Sequence, residues 1–205
     1  MNTQYIYQKI FIYPLSLLMI VLAIASCGEK VSPVTYAKWV ENKANGLHQT
    51  QIADNYIFSL QYKPIEYMVA LQERTPKLHT DILKREKEKM EGLQYFNFKL
   101  STLSGIPALS DKKADFEDKT PYLLSGMQKD LFLLEGTDTL RCRMFHFEHA
   151  NGVLPYDNCV IAFDKNKNPD TDRTFLYRAD KLGLGWIKMV IKAEDINQIP
   201  QLKTI

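Results

Sequence analysis

Charge is distributed unevenly along the chain, and this confines the folded part of the protein to the residues after the first 26. Those 26 residues carry one charged side chain, Lys9, whereas all other basic and all 24 acidic side chains lie beyond them. From residue 10 to residue 25 the chain is apolar apart from Tyr13 and Ser16, with Pro14 between them. This run is shorter than the about 20 residues that a membrane-spanning helix needs. A positive charge, an apolar run and small residues in this order predict a secretory signal peptide over residues 1–26.

The end of the apolar run, Ile24-Ala25-Ser26-Cys27, resembles the lipobox of bacterial lipoproteins, in which an aliphatic residue and two small residues precede an acylated cysteine. The resemblance implies cleavage before Cys27, a diacylglyceryl thioether on its sulfur and an acylated amino terminus. Several acyl chains on one residue anchor a protein durably, because each buried methylene contributes about 0.8 kcal/mol. An uncleaved signal anchor, with Cys27 as an ordinary thiol, is the alternative interpretation.

The resemblance also implies a location in the bacterial cell envelope. Gly28 follows the cysteine, where an aspartate would imply retention in the inner membrane of some bacteria, so the outer membrane is the expected destination. The leaflet and the face of that membrane stay open. Residues 27–34 are then a lipidated tether, and residues 35–205 are expected to form a single domain.

Composition excludes several classes of protein for this domain. With 45% hydrophobic and 24% charged residues, the chain is close to the globular average, which disfavours disorder and a polytopic membrane protein. The net charge of +2 offers no basic excess, so we expect no nucleic-acid partner. Three cysteines are too few for a disulfide-stapled scaffold or a four-cysteine zinc site. No motif for an organic cofactor is present, since Gly183-Leu-Gly185 precedes a strand instead of following one.

The periodicity of apolar residues predicts an α+β fold, with N-terminal helices packed on a mainly antiparallel sheet of five to seven strands and a C-terminal β-meander. Helices are expected over 35–44, from Pro64, and from an N-cap at Thr75 with Pro76 at N1 to Gly92. The charge run 84–89 in the last of these indicates a solvated helix face. Strands are expected over 55–62, 93–103, 130–134, 139–148, 158–164, 174–178 and 186–192.

The densest group of reactive side chains is His146, Glu148 and His149, at the end of the predicted strand 139–148. In a strand His146 and Glu148 share one face while His149 points the other way, so three ligands converge only if the chain bends. The spacing is not HExxH, which places two histidines on one side of a helix. Two interpretations remain, a metal or acid–base site and a strand end with a hydrogen-bonded imidazole.

A second candidate is the segment between the predicted strands 158–164 and 174–178. Oxygen-bearing side chains recur there at every second position. These residues are Asp164, Asn166, Asn168, Asp170 and Asp172. An EF-hand loop needs glycine where Pro169 stands and a bidentate glutamate where Phe175 stands, so the pattern favours an ordinary polar loop. A cation bound there would belong to the weak class, about 10⁻³ M.

Cys142 and Cys159 would lie in an oxidising compartment, which favours a disulfide. The predicted hairpin opposes it. If residues 149–157 form the loop, Glu148 pairs with Asn158 and Cys159 pairs with Phe147. Cys142 then lies five residues farther along the strand, about 16 Å from Cys159 at ~3.3 Å per residue. The two side chains also point to opposite faces, which prevents a disulfide. Two buried thiols are the alternative to the bond.

The sequence therefore predicts a lipid-anchored envelope protein, non-catalytic, whose domain docks a partner protein or another envelope component. Its membrane contact is through acyl chains on Cys27. Tyrosines not needed for the core, such as Tyr122, Tyr156 and Tyr177, are expected to line a protein or glycan contact. The alternatives are an envelope hydrolase or metal-dependent enzyme using His146 and Glu148, and a carrier of a small ligand in a cavity between sheet and helices.

Overall fold

The structure is a computed structural model that describes residues 30–73, 75–110, 119–149, 153–165, 168 and 170–205. The predicted signal peptide, Cys27 and Asn166 lie outside the described residues, as does most of the predicted loop 110–119. The domain is one compact unit spanning Val31–Ile205. Its start and end are tied together, because the backbone of Val31 donates to Gln201 O over 2.8 Å and accepts from Lys203 N over 2.8 Å.

Nine strands of the described chain form two antiparallel sheets. The five-stranded sheet has the order β1-β2-β3-β7-β6, and the four-stranded sheet has the order β5-β4-β8-β9. The strands are β1 (His48–Ala53), β2 (Tyr56–Lys63), β3 (Leu93–Thr102), β4 (Leu131–Glu135), β5 (Asp138–Arg141), β6 (Met144–Glu148), β7 (Asp157–Asp164), β8 (Arg173–Arg178) and β9 (Trp186–Ile191). The predicted antiparallel α+β class is confirmed, and the C-terminal strands form successive hairpins divided between the two sheets.

Five α-helices of the described chain accompany the sheets: α1 (Pro33–Glu41), α2 (Ile65–Glu73), α3 (Thr80–Met90), α4 (Lys119–Leu124) and α5 (Ala193–Asn197). Helix α1 begins before the predicted residue 35, because Ser32 Oγ accepts a hydrogen bond from Thr35 N over 3.3 Å and caps the helix. The N-cap predicted at Thr75 is wrong. Leu78 is fully buried in extended backbone and its carbonyl accepts from Ile205 N over 2.9 Å, so α3 starts only at Thr80.

Aromatic side chains join the two sheets face to face. The Phe98 ring of β3 lies 4.9 Å from the Phe175 ring and 5.6 Å from the Tyr177 ring, both on β8. Phe58 of β2 lies 5.9 Å from the same tyrosine ring. The inward residues of β2 and β3 recur with a period of two in the predicted strands 55–62 and 93–103, and they form the centre of the core.

The predicted strand 139–148 and the predicted single sheet are both wrong. Cys142 N donates to Leu131 O in the four-stranded sheet, and the next residue, Arg143, donates to Ala162 O in the five-stranded sheet. The chain thus crosses from one sheet to the other at this point, so residues 138–148 form β5 and β6. Alternation of apolar residues identifies inward side chains, but it does not identify the sheet to which a strand belongs.

Strand β1 is an element that the sequence pattern did not predict. Its residues are mostly polar, and all of them are half-buried or exposed. It pairs with β2 through a tight turn in which Asp54 adopts a left-handed conformation, φ 47°. The hairpin places His48 opposite Gln61 at the edge of the five-stranded sheet.

Candidate functional site

The five-stranded sheet carries polar side chains on the face that points away from the four-stranded sheet. The strand register aligns these side chains in two neighbouring rows, which we call the outer polar face. One row is His48, Gln61, Asn97, Val160 and His146, and the other is Thr50, Ser59, Lys99, Asn158 and Glu148. Strands β2, β3 and β7 each pair with a strand on both sides, so side chains, and not free backbone groups, form this surface.

A cavity of about 230 Å³ lies on this face. Its lining residues come from three strands, a short helical turn and the segment before β7: Lys43, His48, Ile57, Ser59, Gln61, Asn97, Lys99, Ser101 and Tyr156. Lys99 Nζ lies 4.2 Å from the centroid of the Tyr156 ring, which fixes the side of the cavity formed by the segment before β7. The cavity is therefore a mixture of cations, amides, hydroxyls and one aromatic ring.

Three amide side chains on the outer polar face contain buried atoms that have no hydrogen-bond partner among the described residues. These atoms are Gln61 Nε2, Asn97 Oδ1 and Asn158 Oδ1. Gln61 is only 8% exposed, and its amide lies beside the Tyr67 hydroxyl, where it opposes the rise in the pKa of that tyrosine. An unsatisfied buried polar group costs about 1–3 kcal/mol, and such groups are rare in folded proteins. Another such atom, Glu135 Oε2, lies in the interior, whereas the three amide atoms share the outer polar face.

The charged side chains that line the cavity, Lys43 and Lys99, are cationic. Burial lowers the pKa of His48, and the charges of Lys43 and Lys99 lower it further against the opposing effects of Val40 O and Glu41. The ring is therefore neutral at neutral pH, since its ordinary pKa is already about 6.5. Burial likewise lowers the pKa of Lys63, and the nearby charge of Lys99 adds to this while Glu148 opposes it.

The chain has no significant match among protein family models, curated proteins or solved structures. No helix in the described part of the chain is long and apolar enough to span a membrane.

The structure separates the three residues of the predicted catalytic group. His146 and Glu148 share the outer polar face and are exposed, as their spacing predicted, and Glu148 Oε2 accepts from Asn158 Nδ2 over 2.7 Å. His149 instead lies with its Nδ1 2.9 Å from Oδ1 of Asp157, a fully buried carboxylate. The other oxygen of Asp157 accepts from Leu109 N over 2.8 Å, so His149 belongs to a structural contact at the base of the β6–β7 hairpin.

The residues of the predicted cation loop also have separate partners. Asp164 Oδ1 lies 3.4 Å from Arg143 Nε, and Asp172 Oδ1 accepts from Ala193 N over 2.8 Å at the start of α5. Asn168 Oδ1 accepts from Asp170 N over 3.1 Å, which is a turn within the loop. Across the described residues, no group of three or more His, Cys, Asp or Glu side chains has the arrangement needed to hold a metal ion.

Cys142 and Cys159 are free, buried thiols. The predicted register is confirmed, because Phe147 pairs with Cys159 and Glu148 pairs with Asn158. The predicted distance of about 16 Å between the two cysteines assumed a continuous strand. That assumption does not hold, because the chain crosses between the sheets at Cys142. Burial raises the pKa of Cys142 to about 12 and raises that of Cys159 well above its ordinary value. Both thiols are consequently poor nucleophiles in the folded domain.

A larger cavity of about 470 Å³ lies where α2, α3 and the C-terminal segment meet the end of the five-stranded sheet. Three tyrosines contribute to its lining, Tyr36, Tyr62 and Tyr95. Its polar groups have partners within the protein: Lys87 Nζ lies 2.6 Å from Glu66 Oε1, and Gln94 Nε2 donates to Glu135 Oε1 over 3.0 Å. These polar groups therefore need no hydrogen bonds from a bound molecule, unlike the amides of the outer polar face.

Sequence reasoning identified part of the site. Tyr156 was expected at a glycan or protein contact and lies in the cavity, whereas Tyr122 and Tyr177 are buried and belong to the core. Gln61, Asn97 and Lys99 were missed as site residues. The available signal was the presence of amides and hydroxyls, in place of the usual alternating charges, at the outward positions of two adjacent strands.

Proposed function

We propose that this chain is a lipid-anchored protein of the bacterial envelope, non-catalytic, whose domain Val31–Ile205 binds an envelope component through the outer polar face. The anchor is the acylated Cys27, and the expected membrane is the outer one. A short chain segment separates that residue from α1, so the domain works close to the membrane surface.

The observation that carries the binding role is the group of buried, unsatisfied amide atoms on Gln61, Asn97 and Asn158. A solvated sheet face usually exposes long charged side chains whose polar ends reach water. Here short polar side chains are held close to the sheet, where they are shielded and lack partners. A bound molecule that supplies the missing hydrogen bonds offsets a cost that the free domain carries.

The geometry of the predicted catalytic residues supports a non-catalytic role. His146 and Glu148 are exposed on an open sheet face, and His149 is occupied by Asp157. A general base needs a positioned proton acceptor within hydrogen-bond reach of its substrate, in a site that excludes water. An enzyme that used His146 and Glu148 would need a covering element to form such a site.

Photo-crosslinking in intact cells tests the binding role. A photoreactive amino acid is placed at Ser59, in the middle of the outer polar face, and in a matched protein at Thr174 on the outward side of the four-stranded sheet. Both positions are half-buried hydroxyl residues in inner strands. We expect a specific adduct with an envelope component from Ser59 and little from Thr174. Equal labelling from the two positions, or labelling from Thr174 alone, would contradict the proposal.

A second candidate function, a carrier of a small apolar ligand, is favoured by the 470 Å³ cavity lined by Tyr36, Tyr62 and Tyr95. Ligand pockets commonly have volumes of about 300–1,000 Å³ and several aromatic side chains. Native mass spectrometry of protein extracted from the envelope tests it. A bound small molecule that is lost on the substitution Ile199→Trp, which fills the cavity, would establish the carrier role, and ligand-free protein would remove it.

A further inference from the structure

We propose that the 230 Å³ cavity of the outer polar face binds an anionic sugar residue, that is, a saccharide ring that carries a carboxylate or phosphate. The inference rests on the proposed function, because it names the class of envelope component that the outer polar face recognises.

The charged groups select an anion. Among the described residues that line the cavity, Lys43 and Lys99 are cationic and none is Asp or Glu. Both lysines act electrostatically on His48, which places their charges around the same space. Glu148, in the row of Lys99, is bonded to Asn158 Nδ2 over 2.7 Å. An anion in the cavity therefore meets two lysines and no lining carboxylate.

The unsatisfied atoms require a ligand that both donates and accepts. Gln61 Nε2 is a donor, Asn97 Oδ1 is an acceptor, and the two residues are direct cross-strand partners on β2 and β3. A carboxylate or a phosphodiester group alone only accepts hydrogen bonds and would leave the Asn97 amide oxygen without a donor. A sugar hydroxyl donates one hydrogen bond and accepts others, so it matches both amides at once.

The type of surface opposes a peptide ligand. Extended peptides commonly bind by adding a strand to a free sheet edge, where their backbone finds hydrogen-bond partners. The cavity instead lies mainly over β2 and β3, which are paired with strands on both sides, although one lining residue, His48, comes from the edge strand β1. Recognition here depends on side-chain amides, hydroxyls and the Tyr156 ring, the groups that suit a ligand covered with hydroxyls.

The size of the cavity indicates how much of a saccharide enters it. A volume of 230 Å³ is below the about 300–1,000 Å³ of pockets that enclose drug-sized ligands. We therefore assign one ring to the cavity, and the rest of a polymer lies along the open rows towards Asn158. Affinity for the single ring is modest, and repetition along a polymer strengthens it through multivalency.

Binding to a panel of immobilised saccharides tests the inference, using the full lipidated chain in detergent micelles. The panel holds uronic-acid saccharides, sugar phosphates, the matching neutral saccharides, inorganic phosphate as a soluble competitor, and a hexaglutamate peptide. We expect retention on anionic saccharides, weakened by salt, and no retention on neutral ones. Retention on hexaglutamate, equal retention on neutral saccharides, or no retention on any anionic saccharide would overturn the inference.

Variants locate the interaction. Lys99→Gln removes one cation, and we expect about tenfold weaker binding or more, since a charge-assisted hydrogen bond contributes about 1.5–3 kcal/mol. Asn97→Asp keeps the shape but adds a negative charge, and it should abolish binding of the anionic saccharides. Lys188→Gln, an exposed lysine on the four-stranded sheet, is the matched control and should bind within about twofold of the original chain. Circular dichroism of each variant verifies the fold.

The outcomes separate this inference from the proposed function. A specific adduct from Ser59 together with no binding to anionic saccharides rejects the saccharide class and retains the outer polar face as the binding surface. If there is neither a specific adduct from Ser59 nor binding to anionic saccharides, the outer polar face is rejected as the binding surface as well.

Discussion

Lys99 Nζ lies 4.2 Å from the centroid of the Tyr156 ring, so a cation–π contact joins the centre of β3 to the segment that precedes β7. Contacts of this kind at partly exposed sites contribute about 0.5–1 kcal/mol. We expect Tyr156→Leu to lower the free energy of unfolding by that amount in urea denaturation. Tyr156→Phe retains the ring and should leave the stability nearly unchanged. Equal losses from both variants would show that the hydroxyl, and not the ring, makes the contact.

The interior ion pair between Glu135 and Arg173 predicts a large effect of a single substitution. Arg173 Nε lies 3.3 Å from Glu135 Oε1, and the two residues are 8% and 2% exposed. Arg173→Met leaves a buried carboxylate that still accepts a hydrogen bond from Gln94, and we expect a loss of about 3–5 kcal/mol in the free energy of unfolding. The double variant with Glu135→Leu removes that charge and should recover at least about half of the loss. A single-variant loss below about 1 kcal/mol would contradict a desolvated pair.

Buried tyrosines predict that the domain loses stability at alkaline pH. Burial raises the pKa of Tyr67 to about 12, and its hydrogen bond to Glu41 adds to the rise. The unfolded chain releases this proton near pH 10, so the stabilising contribution is complete below about pH 10 and is lost as pH rises through about 12. Denaturant titrations over this range should show falling stability, with a shallower fall for Tyr67→Phe. An unchanged slope in that variant would contradict the shifted pKa.

The inward faces of β2 and β3 were predictable because their apolar residues alternate strictly and each strand is buried on one side. The register of the β6–β7 hairpin was also predictable from the positions of Glu148 and Asn158. The crossing at Cys142 was not, since no glycine or proline marks a turn there. The apolar alternation continues from Leu140 through Cys142 to Met144 and changes phase only at Phe145. Strand β1 escaped prediction because its stability comes from pairing with β2 rather than from apolar residues of its own.

The candidate site was only partly predictable for a related reason. The predicted catalytic group, His146, Glu148 and His149, consists of near neighbours in the sequence. In a strand, however, adjacent side chains point to opposite faces. Gln61, Asn97 and Lys99 come from two strands, and the register that aligns them depends on the whole sheet. Their missing hydrogen-bond partners are a property of the packed structure and have no counterpart in the sequence.

The cysteines provide a test of the anchor. Cys142 and Cys159 are buried thiols with raised pKa values, so neither should react with a thiol reagent in the native protein. If Cys27 carries a thioether, the full chain extracted from membranes should show two reactive thiols per molecule after denaturation. Three reactive thiols per molecule would contradict lipidation of Cys27. The variant Cys27→Ser should accumulate as the uncleaved precursor, as judged by intact mass.

Hydroxyl-radical footprinting tests the central claim most directly, because it reports which face of the domain is covered in the envelope. Oxidation is compared between the lipidated chain in its native membrane and the same chain purified in detergent. We expect protection of Tyr156, His48 and His146 in the membrane sample, while Trp186, 55% exposed on the four-stranded sheet, reacts equally in both. Protection of Trp186 with unchanged oxidation of the outer polar face would contradict the account.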